Sequence, residues 1–220
     1  CFNPVQYDAE EWVNLARQAG AKYIVITSKH HDGFAIFDSS ASDYNIVSST
    51  PFARDPIKEL AEACKKAGMK LGFYYSQDQD WHHPGGSGNY WDYPKRTSAD
   101  FANYLEEKVK PQLRELLTSY GPISIIWFDT PYTISHDQSV ELQQLVNELQ
   151  PDCLVSGRIG NGVGDYGSLS DNQIPIGQIQ GFWETPATMN DTWGFKQDDN
   201  EWKSVDTLIE LLAELASRGV

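Results

Sequence analysis

Asp55-Pro56-Ile57-Lys58-Glu59-Leu60-Ala61-Glu62-Ala63-Cys64-Lys65-Lys66-Ala67-Gly68-Met69-Lys70-Leu71-Gly72-Phe73-Tyr74-Tyr75-Ser76 reads as one helix-to-strand unit. The aspartate can accept an orphan N–H at the helix start, and proline, which has none to offer, suits the first helical position. Ile57, Leu60, Ala61, Cys64 and Ala67 recur at helical spacing, and Gly68 stops the stripe. A strand over 69–75 follows and runs into an aromatic, polar cluster. The exit has a near copy: Gln18-Ala19-Gly20-Ala21-Lys22 matches Lys66-Ala67-Gly68-Met69-Lys70 in pattern. Before that copy, Asp8 and Glu11 resemble a capping box, and Trp12, Leu15, Ala16 and Ala19 form an apolar stripe. A strand over 22–27 comes next.

The alternation continues downstream. Ser98 opens a long helix with Phe101, Leu105, Val109, Leu113, Leu116 and Leu117 on one side, kinked or split by Pro111. Then come a strand at 122–128, a helix at 137–149, strands at 153–157 and 177–183, and a last helix carrying Val205, Leu208, Ile209, Leu212, Leu215 and Ala216. Strands alternating with helices imply a parallel sheet. The expected fold is α/β, a (β/α)8-type TIM-like barrel forming one domain over 1–220. Five or six strands are countable rather than eight, and 220 residues fall short of the ~250 usual for this architecture, so the barrel is expected to be incomplete.

The formal charge is −14, from 31 acidic and 17 basic residues, with no Lys/Arg cluster. Such a surface repels phosphate backbones and anionic lipid, which argues against nucleic-acid and membrane partners. A neutral or cationic substrate fits better. No apolar run approaches the ~20 residues needed to cross a bilayer. The three cysteines, Cys1, Cys64 and Cys153, lack zinc or disulfide-framework spacing, and the last two read as small buried hydrophobes. The 7 Trp, 11 Tyr and 9 Phe suit core packing or stacking platforms for sugar faces; the tryptophans at strand ends favour the latter.

In (β/α) barrels the strand C-termini open onto the face where catalytic groups gather. Five such ends are polar or aromatic here: Lys29-His30-His31-Asp32-Gly33, Tyr74-Tyr75-Ser76, Trp127-Phe128-Asp129, Ser156-Gly157-Arg158 and Trp183-Glu184. Asp129 is the candidate attacking carboxylate, with a turn or N-cap aspartate as the plain alternative. Adjacent histidines on an extended segment point opposite ways, so His30 and His31 are read as hydrogen-bond donors to hydroxyls rather than a shared metal site. His82-His83 read as a solvated loop. Arg158 either faces the pocket or forms a surface ion pair. Asp165, Asp171 and Glu184 are candidates for the second carboxylate that glycoside hydrolysis requires. The loops 76–97 and 158–176 are long enough to be functional.

Taken together, Phe2-Asn3-Pro4, Thr27-Ser28-Lys29-His30-His31-Asp32-Gly33-Phe34, Arg54-Asp55-Pro56, Gly72-Phe73-Tyr74-Tyr75-Ser76, Trp127-Phe128-Asp129 and Trp183-Glu184 through Thr192-Trp193-Gly194-Phe195 resemble the retaining α-L-fucosidases of glycoside hydrolase family 29. The resemblance runs along nearly the whole chain. It implies that Asp129 is the nucleophile, that His30, His31, Tyr75, Trp127 and Arg158 hold the fucose hydroxyls and orient it, and that Trp193 packs near the sugar's methyl group. It implies a fucosylated glycan as substrate, no metal and no cofactor, and a secreted or periplasmic location. The family's Gly-Asp-Tyr-x-Thr-Pro-Glu segment carries the acid/base glutamate. This chain reads Gly164-Asp165-Tyr166-Gly167-Ser168-Leu169-Ser170-Asp171-Asn172-Gln173-Ile174-Pro175 instead. Anchored on Ile174-Pro175, Asp171 stands where the glutamate belongs, with Glu184 as the alternative. The resemblance also implies a first strand before Phe2 and a closing strand after Arg218. The competing readings are a non-catalytic or weakly active fucose-binding relative or fragment, and a metal-dependent hydrolase built on His30 and His31.

Overall fold

The structure is a computed structural model that describes residues 2–219; Cys1 lies outside them. The first helix, α1 (Ala9–Gln18), starts where Asp8 accepts the Glu11 N–H at 3.0 Å. It buries Ala9 and Val13, one turn apart, against the third helix. Trp12 and Leu15 are 50% and 67% exposed, so the buried line is not the expected Trp12–Leu15 stripe. The small Ala9 and Val13 allow close helix approach, and Trp12 packs edge-on against Tyr7 at 4.9 Å instead.

Strand β1 (Tyr23–Lys29) precedes a short helix α2 (Ile46–Ser49) capped by Asn45. Helix α3 (Pro56–Ala67) is capped by Asp55 and ends at Gly68, whose φ of 66° suits glycine. Strands β2 (Lys70–Tyr75), β3 (Ile125–Phe128) and β4 (Leu154–Val155) complete a parallel sheet in the order β1-β2-β3-β4. Between β2 and β3, a Cβ on Gly72 would lie 2.9 Å from the Ile125 carbonyl oxygen, so the close strand approach requires glycine there.

The long helix is α4 (Ser98–Tyr104), a π-helical turn (Leu105–Val109) and α5 (Lys110–Ser119). Pro111 therefore splits it through a widened turn: proline cannot donate into the ladder, and the Lys110 N–H reaches back to the Leu105 carbonyl. Helix α6 (His136–Leu149) opens on a Ser135–Gln138 capping box. Phe73, Tyr75, Ile126, Phe128 and Val155 of the sheet share one buried cluster with Leu113, Leu116, Leu142 and Val146 of the helices.

The chain divides into two compact units, residues 1–164 and 165–220. The second holds a two-residue parallel pair, β5 (Gly167–Ser168) with β6 (Trp183–Glu184), and helix α7 (Val205–Ser217). The strand expected at 177–183 shrinks to β6. Gly177 and Gly181, the latter at φ 89°, interrupt the run, and the Trp183 indole N–H turns back to the Gln180 carbonyl. Parallel strands alternate with helices as a (β/α) barrel requires, and the sheet stays open among the described residues. No described helix is long and apolar enough to cross a membrane.

Candidate active site

Asp129 is the first residue beyond β3 and is 7% exposed. Its Oδ2 accepts the Tyr74 hydroxyl at 2.5 Å, and its Oδ1 accepts Arg158 Nη1 at 3.0 Å. Arg158 comes from a single 3-10 turn, Gly157–Ile159, that follows β4. Its guanidinium carbon sits 4.9 Å over the Trp127 ring. Tyr74 and Trp127 are register partners on β2 and β3, and their rings stack at 5.4 Å and 22°. His30 stacks on Tyr74 at 5.2 Å and 8°.

His31 completes the cup. Its Nδ1 lies 2.7 Å from Ser76 Oγ, which itself donates to the Gln79 carbonyl at 3.0 Å. The serine has one hydrogen to give, so Nδ1–H must donate to it, which leaves Nε2 as an acceptor rather than the expected donor to a hydroxyl. Nε2 lies 3.7 Å from Asp129 Oδ2. Burial, together with His30 alongside, pushes His31 down to about 4, so the ring is neutral near neutral pH. Burial lowers His30 as well.

Tyr75, expected in the pocket, is turned into the core. It is fully buried and donates its hydroxyl to Gln112 Oε1 of α5 at 2.7 Å. Side chains alternate across a strand, so one of two adjacent tyrosines must face the helices. Tyr74 faces Asp129. The doublet concealed which tyrosine did so; only pairing with Trp127 reveals it.

Each residue from Ser76 to Asp80 is buried and polar, and each ties down a different piece of the site. Ser76 fixes His31. Gln77 Oε1 accepts the Asp129 N–H at 2.9 Å. Asp78 accepts the Thr133 and Ile134 N–H groups at 2.5 and 2.8 Å. Gln79 Nε2 donates to Thr130 Oγ1 at 3.0 Å. Asp80 Oδ2 meets Lys29 Nζ at 3.2 Å and Lys108 Nζ at 2.7 Å. Burial pushes Lys29 down to about 8. For Asp80 burial acts upward, but Lys29 and Lys108 outweigh it and hold the carboxyl at about 2. A Cβ on Gly33 would lie 2.1 Å from Asp80 Oδ1, so the turn after the histidine pair must carry glycine, at φ 80°. Residues 76–80 thus form a folded wall, whereas Trp81, His82 and most of 90–97 are exposed. His82 is exposed but stacks on Tyr44 at 4.2 Å, and His83 Nδ1 accepts the Gly85 N–H. Trp81, 41% exposed, stands 6.1 Å from the His31 ring.

The chain turns after Lys29, so the histidine rings converge instead of diverging, with centroids 4.1 Å apart. Ligand atoms of His30, His31 and Asp129 all lie within 4.8 Å of one another, a spacing a metal ion could use. A cation there would have to compete with the Arg158 guanidinium and the Tyr74 hydroxyl for both Asp129 oxygens.

The remaining candidates lie in the second unit. Asp171 is exposed, next to Asn172 at φ 55°, whose Oδ1 accepts the Thr188 N–H at 3.0 Å. Glu184 is half-buried in β6, opposite Ser168. Asp165 is exposed at the start of the unit. Trp193 is 58% exposed, beside Thr192, whose hydroxyl donates to Asp199 at 2.5 Å.

The sequence profile of the alpha-L-fucosidase family matches residues 1–220. The chain is similar to the alpha-L-fucosidase AlfC of Lactobacillus casei, solved with α-L-fucose product: 44% identity, TM-score 0.90, 99% of this chain and 71% of that one. A variant of that enzyme was solved with Fuca(1,6)GlcNAc. An alpha-L-fucosidase from Vibrio sp. strain EJY3 is 35% identical with TM-score 0.91, covering 99% of this chain and 40% of that one. The plasma alpha-L-fucosidase of Rattus norvegicus is 29% identical over 235 residues, 99% of this chain and 49% of the relative. The chain spans at most about half the length of the first curated relatives it matches.

Proposed function

This chain belongs to the alpha-L-fucosidase family, and from that premise we propose that it hydrolyses terminal α-L-fucosyl residues of glycans by a retaining double displacement. The observation that carries the reading is Asp129 at the tip of β3, its two oxygens held by Tyr74 and Arg158 inside a cup of His30, His31 and Trp127. Asp129 attacks the anomeric carbon and forms a covalent fucosyl-enzyme. The two donors fix the attacking oxygens. His31 Nε2 accepts from a sugar hydroxyl, and the Trp127 and Tyr74 rings supply an apolar wall.

A second carboxyl group protonates the leaving oxygen and then activates water, from the ~5–5.5 Å separation that retention requires. Asp171 and Glu184 are the candidates, with Trp193 at the sugar's methyl group. The proposed catalytic domain spans 1–220. The substrate class is a fucosylated glycan, in keeping with the ligands of the Lactobacillus casei enzyme. A secreted or periplasmic location is consistent with a relative named for plasma.

Asp129→Asn is the test. Hydrolysis of 4-nitrophenyl α-L-fucoside is expected to fall on the order of 10³-fold or more, with fucose binding retained by calorimetry. Undiminished turnover would remove Asp129 from the mechanism. Turnover is expected to survive a strong chelator; loss that zinc restores would instead favour a metal held by His30, His31 and Asp129.

A further inference from the structure

We infer that Gln77 is a positioning residue that sets the aim of the Asp129 carboxylate, an inference that rests on the fucosidase reading above. Sheet pairing stops short of Asp129: β2–β3 ends at Tyr75↔Phe128 and β3–β4 at Ile126↔Val155. The Asp129 N–H therefore needs a partner other than a strand. Gln77, fully buried, provides it through Oε1 at 2.9 Å. Its Nε2 donates to the Arg158 carbonyl at 3.1 Å, with the Ile159 carbonyl at 3.5 Å. One side-chain amide thus ties the backbone of the carboxylate to the backbone of the arginine, and that arginine's guanidinium bonds Asp129 Oδ1 at 3.0 Å. The three residues form a closed ring of hydrogen bonds.

The flanking backbone is held in the same manner. Ser156 Oγ accepts the Phe128 N–H at 3.0 Å, and Gln79 holds Thr130, which sits at φ 46° in the left-handed region. A non-glycine residue there is strained, so side chains rather than a regular ladder must hold the turn. Attack on an anomeric carbon tolerates little misaiming, and a displacement of ~1 Å costs on the order of 10²-fold in rate. Gln77 acts through Asp129 and Arg158, not on the sugar.

The test uses the 220-residue chain and Gln77→Met, which keeps the side chain's length and removes both bonds. Fucose affinity and site stoichiometry are measured by calorimetry. The turnover of 4-nitrophenyl α-L-fucoside and the rate of covalent labelling by 2-deoxy-2-fluoro-α-L-fucosyl fluoride are then expressed per fucose-binding site. Both per-site rates are expected to fall between about 10- and 100-fold, with fucose affinity changed less than about 3-fold. A purely structural role predicts fewer binding sites and a lower melting temperature with per-site rates intact, and that result overturns the inference. If Gln77→Met does not fold, Gln77→Asn, one methylene too short to span both partners, is judged by the same criteria; failure of both to fold also overturns it. An inert wild-type chain overturns the fucosidase reading and this inference together, whereas an active wild type with undiminished variants overturns the inference alone.

Discussion

Tyr74 and Tyr75 are chemically identical neighbours with opposite surroundings. The first donates to the carboxylate of Asp129; the second donates to Gln112 inside the core. A hydrogen bond to a charged group is worth about 1.5–3 kcal/mol, so Tyr74→Phe is expected to slow turnover roughly 10- to 100-fold and to lower stability as well. Tyr75→Phe should lower stability by about 1 kcal/mol in denaturant titrations with kcat kept. If Tyr74→Phe turns over normally, the Tyr74 hydroxyl has no part in the reaction. His31 shows a further contrast at this scale. Its position after an apolar run is plain in the sequence, but burial keeps it neutral, and Ser76, whose proton is committed to the Gln79 carbonyl, makes Nε2 the accepting nitrogen.

Among the elements, the segment after β2 does most to assemble the site. Residues 76–97 were legible as a functional loop by length alone. That Ser76, Gln77, Asp78, Gln79 and Asp80 are all buried was not, since a polar run ordinarily marks a solvated loop. Asp80 anchors this wall between Lys29 and Lys108. Its folded-state carboxyl, at about 2, lies below the usual value of 3.8. The unfolded chain therefore binds more protons, so the contribution is complete above about pH 4 and fades as pH falls toward 2. That contribution amounts to about 2 kcal/mol. The stability gap between wild type and Asp80→Asn should accordingly shrink across that window in unfolding titrations. A gap independent of pH would mean the lysines do not stabilise the charged form. The π-helical turn ahead of Pro111 shows the opposite balance: proline announced a break, and only its form awaited the structure.

At the scale of the whole molecule, the buried apolar cluster lies within residues 1–164, while in 165–220 the one buried aliphatic residue among those described in α7 is Leu215. Residues 2–164 expressed alone are expected to unfold cooperatively by circular dichroism, and residues 165–220 alone are not. The proposed nucleophile, Asp129, falls in residues 1–164 and both acid candidates in 165–220. Asp171→Asn and Glu184→Gln distinguish them: loss of the true acid should slow fucosides with poor leaving groups about 10²- to 10⁴-fold and spare 4-nitrophenyl fucoside much more. Equal losses on both substrates would clear the mutated residue of that role. The sequence by itself determined the alternation of helix and strand, the caps at Asp8 and Asp55, and the strand ends that carry His30, His31, Trp127, Asp129 and Arg158, because these follow from local periodicity and backbone chemistry. Only the tertiary structure decided that Tyr74 rather than Tyr75 meets Asp129, that Trp12 stays outside, and that Gln77 holds the carboxylate's backbone. Those outcomes depend on strand register and on which buried polar groups find partners across distant segments, and neither is written in the order of neighbouring residues.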